Sequence, residues 1–91
     1  MLVATGGCFS FGVTAGHLAL IQFCRSIARD DEVHVYINSD EWIKKNKPDR
    51  FIYTEEERVS LISALCDVDN VVVFHEDTPE ALIAKLKPDV W

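Results

Sequence analysis

The chain has 91 residues, 48% of them hydrophobic, with 9 Lys and Arg against 15 Asp and Glu for a formal net charge of −6. Such a length makes one domain, residues 1–91, that buries roughly 60 to 68% of the surface its unfolded form exposes. The acidic balance argues against nucleic acid and anionic membrane as partners, because both require clustered Lys and Arg. Any cations that bind phosphate must therefore be local. No run approaches the roughly 20 apolar residues that span a bilayer. Cys8, Cys24 and Cys66 are odd in number and lack metal-ligand spacing, which with the absence of a leader pattern predicts a reduced, cytoplasmic protein.

In chain order, Leu2, Val3, Ala4 and Thr5 predict a first strand that closes on Gly6-Gly7-Cys8-Phe9. Thr14 is placed to cap a helix over residues 15–29 whose core face is Leu18, Ile21, Cys24 and Ile27 or Ala28. Val33 to Ile37 reads as a second strand, and Asn38-Ser39-Asp40 suits the start of a short helix holding Trp42 and Ile43. The polar stretch 44–53, with Pro48 inside it, predicts a flexible loop. Thr54 and Glu57 form a capping box ahead of a helix that buries Val59, Ile62 and Leu65. Val71 to Phe74 predicts a third, buried strand. Thr78 and Pro79 start a helix with Leu82, Ile83 and Leu86 inward, Pro88 ends it, and Asp89-Val90-Trp91 begins a fourth strand.

Strands alternating with helices predict an α/β fold, a Rossmann-like doubly wound parallel sheet in three αβα layers, with ligands collecting outside the C-terminal strand ends. The loop after the first strand carries Gly6 to His17, and the loop after the second carries Asn38 to Lys47. Glycines allow close backbone approach, and the first turn of a helix offers unpaired N–H donors and a positive dipole end to an anion. Thr14-Ala15-Gly16-His17 adds a movable imidazole donor there. The glycine spacing fits neither the dinucleotide fingerprint nor a P-loop.

Gly7-Cys8-Phe9 followed by Thr14-Ala15-Gly16-His17 resembles the cytidylyltransferase-like nucleotidyltransferases, whose signature is G-x-F-D and then [HT]-x-G-H. The likeness continues through Ile37-Asn38-Ser39-Asp40, Lys45 and Lys47, Glu56-Glu57-Arg58, and Val68-Asp69 to Val90. It is strongest toward the adenylyltransferase domain of ADP-heptose synthases, with glycerol-3-phosphate cytidylyltransferase next. The resemblance implies attack by a sugar or polyol phosphate on the α-phosphate of an NTP, ATP ahead of CTP, with pyrophosphate released and Mg²⁺ bound with the nucleotide. It implies His17, Thr14 and Lys47 as catalytic residues. Gly7, Cys8, Phe9, Gly16, His17, Lys47 and Arg58 would bind the nucleotide, and Lys45 and Asp40 the acceptor. No metal-ligating residue is implied.

The chain departs from the family pattern at two places. No aspartate follows Phe9, and Ser10-Phe11-Gly12-Val13 is one residue longer than the usual spacer, with Gly12 suited to absorb the insertion. Relatives also carry, past the position of Trp91, a glycine-rich segment and a Ser/Thr-rich motif that caps the nucleotide. The expected fold therefore lacks the C-terminal part of the family fold, and its open sheet edge predicts a homodimer. A nucleotide-binding remnant without turnover is the competing reading, and an unrelated doubly wound domain is a third.

Overall fold

The runs of Val, Ile and Tyr in this sequence pair as strands because β-branched and aromatic side chains pack well on a pleated surface. The computed structural model describes residues 1–91. It comprises β1 (Leu2–Gly7), α1 (Ala15–Ala28), β2 (Glu32–Asn38), α2 (Asp40–Asn46), a 3-10 turn (Pro48–Arg50), α3 (Glu55–Ser63), β3 (Asn70–Phe74) and α4 (Glu80–Leu86). The strands form a parallel sheet in the order β1-β2-β3, with Val3 opposite Val33, Gly7 opposite Ile37 and Asn38 opposite Phe74. Val90 forms a parallel bridge to Val3 on the free side of β1, and the Ala4 N–H donates to the Val90 carbonyl at 2.9 Å. The predicted fourth strand thus begins beside β1. The winding direction reverses at β1, so the crevice favoured for ligands opens beyond its C-terminal end at Gly7.

Alternation along the strands divides the core between two faces. Val3, Val33, Val35 and Ile37 meet Ile21, Cys24 and Ala28 of α1 and Ile62 of α3. Ala4, Tyr36 and Phe74 meet Leu82 and Ile83 of α4, and Trp91 stacks on Tyr36 with ring centroids 5.4 Å apart. These are the three αβα layers. Full burial of each isoleucine here stabilises the fold by about 1.5–3 kcal/mol. At the opposite end of the sheet from Gly7, Arg25 donates to the Asp67 carbonyl at 2.9 Å and to the Asp69 carboxylate at 2.8 Å, joining α1 to the turn before β3. The same carboxylate accepts from the Val33 N–H, and these bonds hold the Asp69 carboxyl below its ordinary range.

Several local expectations are corrected. Leu18 is 39% exposed, because the buried stripe of α1 runs through Ile21, Cys24 and Ala28 and passes through His17 in the first turn. Leu86 is exposed as well, lying in the last turn of α4. Part of the predicted loop at 44–53 is regular: Lys44 and Lys45 lie in the last turn of α2, and Pro48 opens the 3-10 turn. Pro79 is the N-cap of α4 rather than its first helical residue. Gly6 and Gly7 belong to β1, opposite Tyr36 and Ile37, and the turn itself lies beyond them. A side chain at Gly6 would come within 2.9 Å of the Trp91 ring, so close packing rather than a turn requires glycine there.

Candidate functional site

Beyond Gly7 the chain turns sharply by placing Phe9, not a glycine, in the left-handed region at φ 53°. That conformation costs a non-glycine residue on the order of 1–2 kcal/mol, and such strain gathers at functional sites. The Gly12 N–H closes the turn on the Phe9 carbonyl at 2.9 Å, and Gly12 itself takes φ 81°. Phe9 is 2% exposed, and its ring lies against the His17 imidazole with centroids 4.1 Å apart.

Thr14 caps α1 reciprocally with His17. The Thr14 Oγ1 accepts from the His17 N–H at 3.4 Å, and the His17 Nδ1 accepts from the Thr14 N–H at 3.2 Å. A nitrogen that accepts from a backbone N–H carries no proton, so the neutral ring bears its proton on Nε2. His17 is held as an Nε2–H donor at the mouth of the crevice. The cap leaves the Ala15 and Gly16 N–H groups without intrachain partners. A methyl group at Gly16 would meet nothing nearer than the Thr14 Oγ1 at 3.8 Å, so the fold does not require glycine there. The first turn of α1 contains no acidic residue, whereas those of α2, α3 and α4 each contain at least one.

Gly7, Cys8, Phe9, Ser10, Phe11, Thr14, His17, Lys47 and Arg50 line an open cleft of about 390 Å³. The structure therefore brings together Gly7, Cys8, Phe9, Thr14, His17 and Lys47 of the predicted set, with Gly16 in the adjoining helix turn. Lys47 caps the C-terminus of α2, with its Nζ 3.9 Å from the Cys8 Sγ and 5.8 Å above the Trp42 ring. Besides Gly16, three predicted residues lie outside the lining. Lys45 is exposed on α2. Arg58 is fully buried, with four of its five N–H donors already bonded. Asp40 pairs with Arg58 at 3.0 Å. Arg50 is the cation that the sequence reading missed, since only the 3-10 turn at Pro48 brings it round to the cleft.

The lining contains no carboxylate, and nowhere does the fold gather three His, Cys, Asp or Glu residues in a metal-binding group. The donor set therefore does not fit a Mg²⁺ ion held by protein ligands. A second hollow of about 400 Å³, lined by Tyr53, Glu56, Glu57, Ser60 and Leu61, has two carboxylates and no cation, which unsuits it to an anion. The three cysteines are free, and burial pushes the Cys24 thiol up. No helix is long and apolar enough to cross a membrane.

Comparison with known proteins identifies the family and the fold. The sequence model of a family described as cytidylyltransferase-like matches residues 4–91. The chain is 43% identical over 91 residues to the bifunctional protein HldE of Streptomyces coelicolor, covering 99% of this chain and 19% of that protein. It is 42% identical over 90 residues to HldE of Helicobacter pylori, covering 98% and 19% respectively. It thus spans about 19% of the length of these curated relatives. Among solved structures, the lipopolysaccharide core biosynthesis protein of Thermoplasma volcanium superposes with a TM-score of 0.82 at 27% identity, over 98% of this chain and 70% of that one.

Proposed function

We propose nucleotidyl transfer as the function of this chain, which belongs to the cytidylyltransferase-like family. The donor would be an NTP, with ATP favoured by the likeness to HldE and to ADP-heptose synthases, and the acceptor a sugar or polyol phosphate. An acceptor phosphate oxygen attacks the α-phosphorus, a new P–O bond forms, and the bond from that phosphorus to the β-bridging oxygen breaks to release pyrophosphate. Phosphate oxygens are nucleophilic without help, so the residues position reactants and stabilise charge.

The observation that carries this reading is the reciprocal cap, which fixes His17 as an Nε2–H donor beside the Gly7–Phe9 backbone. His17 would donate to the α-phosphoryl oxygens as charge grows on them. The Thr14 hydroxyl retains its own proton for a phosphate oxygen while accepting from the His17 N–H. Lys47 and Arg50 would take the β- and γ-phosphates or the acceptor's phosphate. Because the lining offers no carboxylate for Mg²⁺, a divalent ion would be held mainly by the nucleotide's own phosphates.

Thermal unfolding with Mg²⁺ and either ATP or CTP tests binding, and pyrophosphate release with heptose 1-phosphate or glycerol 3-phosphate tests turnover. Ligand at about one hundred times its Kd adds roughly 2.7 kcal/mol, which moves Tm by about ten degrees or more in a domain of this size. A shift with ATP together with pyrophosphate release is the expected result. A shift without release supports the binding-only reading, which Ser10 in place of the family's acid favours. No shift with either nucleotide refutes both.

A further inference from the structure

We infer that Arg58 is a positioning residue that sets the orientation of His17 from the far side of the β1 turn, an inference whose catalytic meaning rests on the proposed nucleotidyl transfer. Arg58 lies in the first turn of α3, and its guanidinium is 0% exposed. One terminal nitrogen donates both to the Cys8 carbonyl at 2.9 Å and to the Asn38 carbonyl at 2.6 Å. The other donates to Asp40 Oδ1 at 3.0 Å, and Nε donates to the Tyr53 carbonyl at 3.3 Å. A single planar fork thus joins the turn after β1, the end of β2, the start of α2 and the segment leading into α3.

These bonds govern the strained position. The Cys8 carbonyl belongs to the peptide group that leads into Phe9, so fixing it opposes relaxation of φ 53° to a negative value. Phe9 supplies the surface on which the His17 ring rests at 4.1 Å. Arg58 therefore reaches His17 through Cys8 and Phe9 without touching ligand. Through Asp40 it also fixes the start of α2, whose C-terminal end carries Lys47. Lysine at this position retains the charge but lacks the rigid fork that holds two carbonyls and a carboxylate together.

The test compares Arg58→Lys with Arg25→Lys, which disrupts the network at the other end of the sheet. In the wild-type chain, long-range proton–nitrogen NMR spectra are expected to show His17 as the Nε2–H tautomer, with ring protons shifted upfield by Phe9. Arg58→Lys should move these signals toward those of a free imidazole averaging both tautomers, whereas Arg25→Lys should lower Tm and leave them in place. Unchanged His17 signals in folded Arg58→Lys, or equal displacement in Arg25→Lys, would overturn the assignment. If Arg58→Lys does not fold, Asp40→Ala frees one arm of the fork and should move the same signals part of the way; no movement overturns the assignment. If the wild-type chain turns over, Arg58→Lys should lower kcat about 10- to 100-fold with less than about a threefold change in nucleotide KM. A wild-type chain without turnover sinks the proposed function but leaves the spectroscopic comparison intact.

Discussion

Replacing His17 by asparagine separates the two tasks that its ring performs. An asparagine Oδ1 can stand near the position of Nδ1 and accept from the Thr14 N–H, but nothing replaces the Nε2–H donor. A capping bond is worth about 1 kcal/mol, and the contact of the imidazole with Phe9 at 4.1 Å is worth about 0.5–1.5 kcal/mol. His17→Asn keeps the first and loses the second, so its Tm should fall by about 2–12 °C. His17→Ala loses both and should be destabilised by about 2 kcal/mol. Removing a preorganised donor to developing charge costs about 2.7–4 kcal/mol in the transition state, or 10²- to 10³-fold in kcat. Pyrophosphate release at saturating nucleotide, measured beside thermal unfolding, reads both quantities. His17→Asn turning over within threefold of wild type would reduce His17 to a helix cap. Equal instability of the Asn and Ala variants would refute the bond assigned to Nδ1.

Two further predictions concern groups away from the cleft. The Tyr36 hydroxyl is buried without a hydrogen-bond partner, so Tyr36→Phe should stabilise the fold by about 1–2 kcal/mol in urea unfolding; destabilisation would reveal a partner for the hydroxyl. Burial also pushes the Tyr36 phenol up, so its contribution is present below the unfolded value near 10 and is lost as pH rises above it; the advantage of Tyr36→Phe should widen there. Asp69 is held low by the Val33 N–H and Arg25, so its contribution is present above the unfolded value near 3.9 and is lost as pH falls through the folded one. Asp69→Asn should be less stable at pH 7, by about 1 kcal/mol or less because the carboxylate is 41% exposed, and should converge on wild type in acid; parallel stability curves down to acid pH would contradict this.

The strands and the four helices were legible because periodicity and caps are local signals, whereas the order of the strands in the sheet was not. Thr14, Thr54 and Pro88 each mark a boundary with residues within a few positions of it. The first half of the candidate cleft was legible for the same reason, since Gly7 ends the first strand and Thr14 and His17 stand at the start of the helix that follows. What escaped the sequence was decided by tertiary packing. Arg58 reads as a charged first-turn residue until Cys8, Asn38 and Asp40, distant in sequence, converge on it. Arg50 reads as one more cation of a polar stretch until Pro48 turns it toward the cleft. Leu18 has the spacing of a core residue, yet His17 occupies the stripe in that turn because Phe9 covers it.

A net charge of −6 is at first sight a poor basis for binding a triphosphate. The cleft lining, however, contains no acid, Asp40 is committed to Arg58, and Glu55 accepts from the Asp40 N–H at 3.0 Å. Asp40, Glu41, Glu55, Glu56, Glu57 and Glu80 all stand in first turns of helices, where the dipole already favours a carboxylate. Only α1 lacks such an acid, and its unpaired Ala15 and Gly16 N–H groups lie between Thr14 and His17, which line the same cleft as Lys47 and Arg50. In the other helices a side chain of the protein supplies the anion that the dipole attracts. In α1 no side chain supplies one, which is what the proposed binding of a phosphate requires, and the His17 ring that rests on the strained Phe9 stands in that same turn.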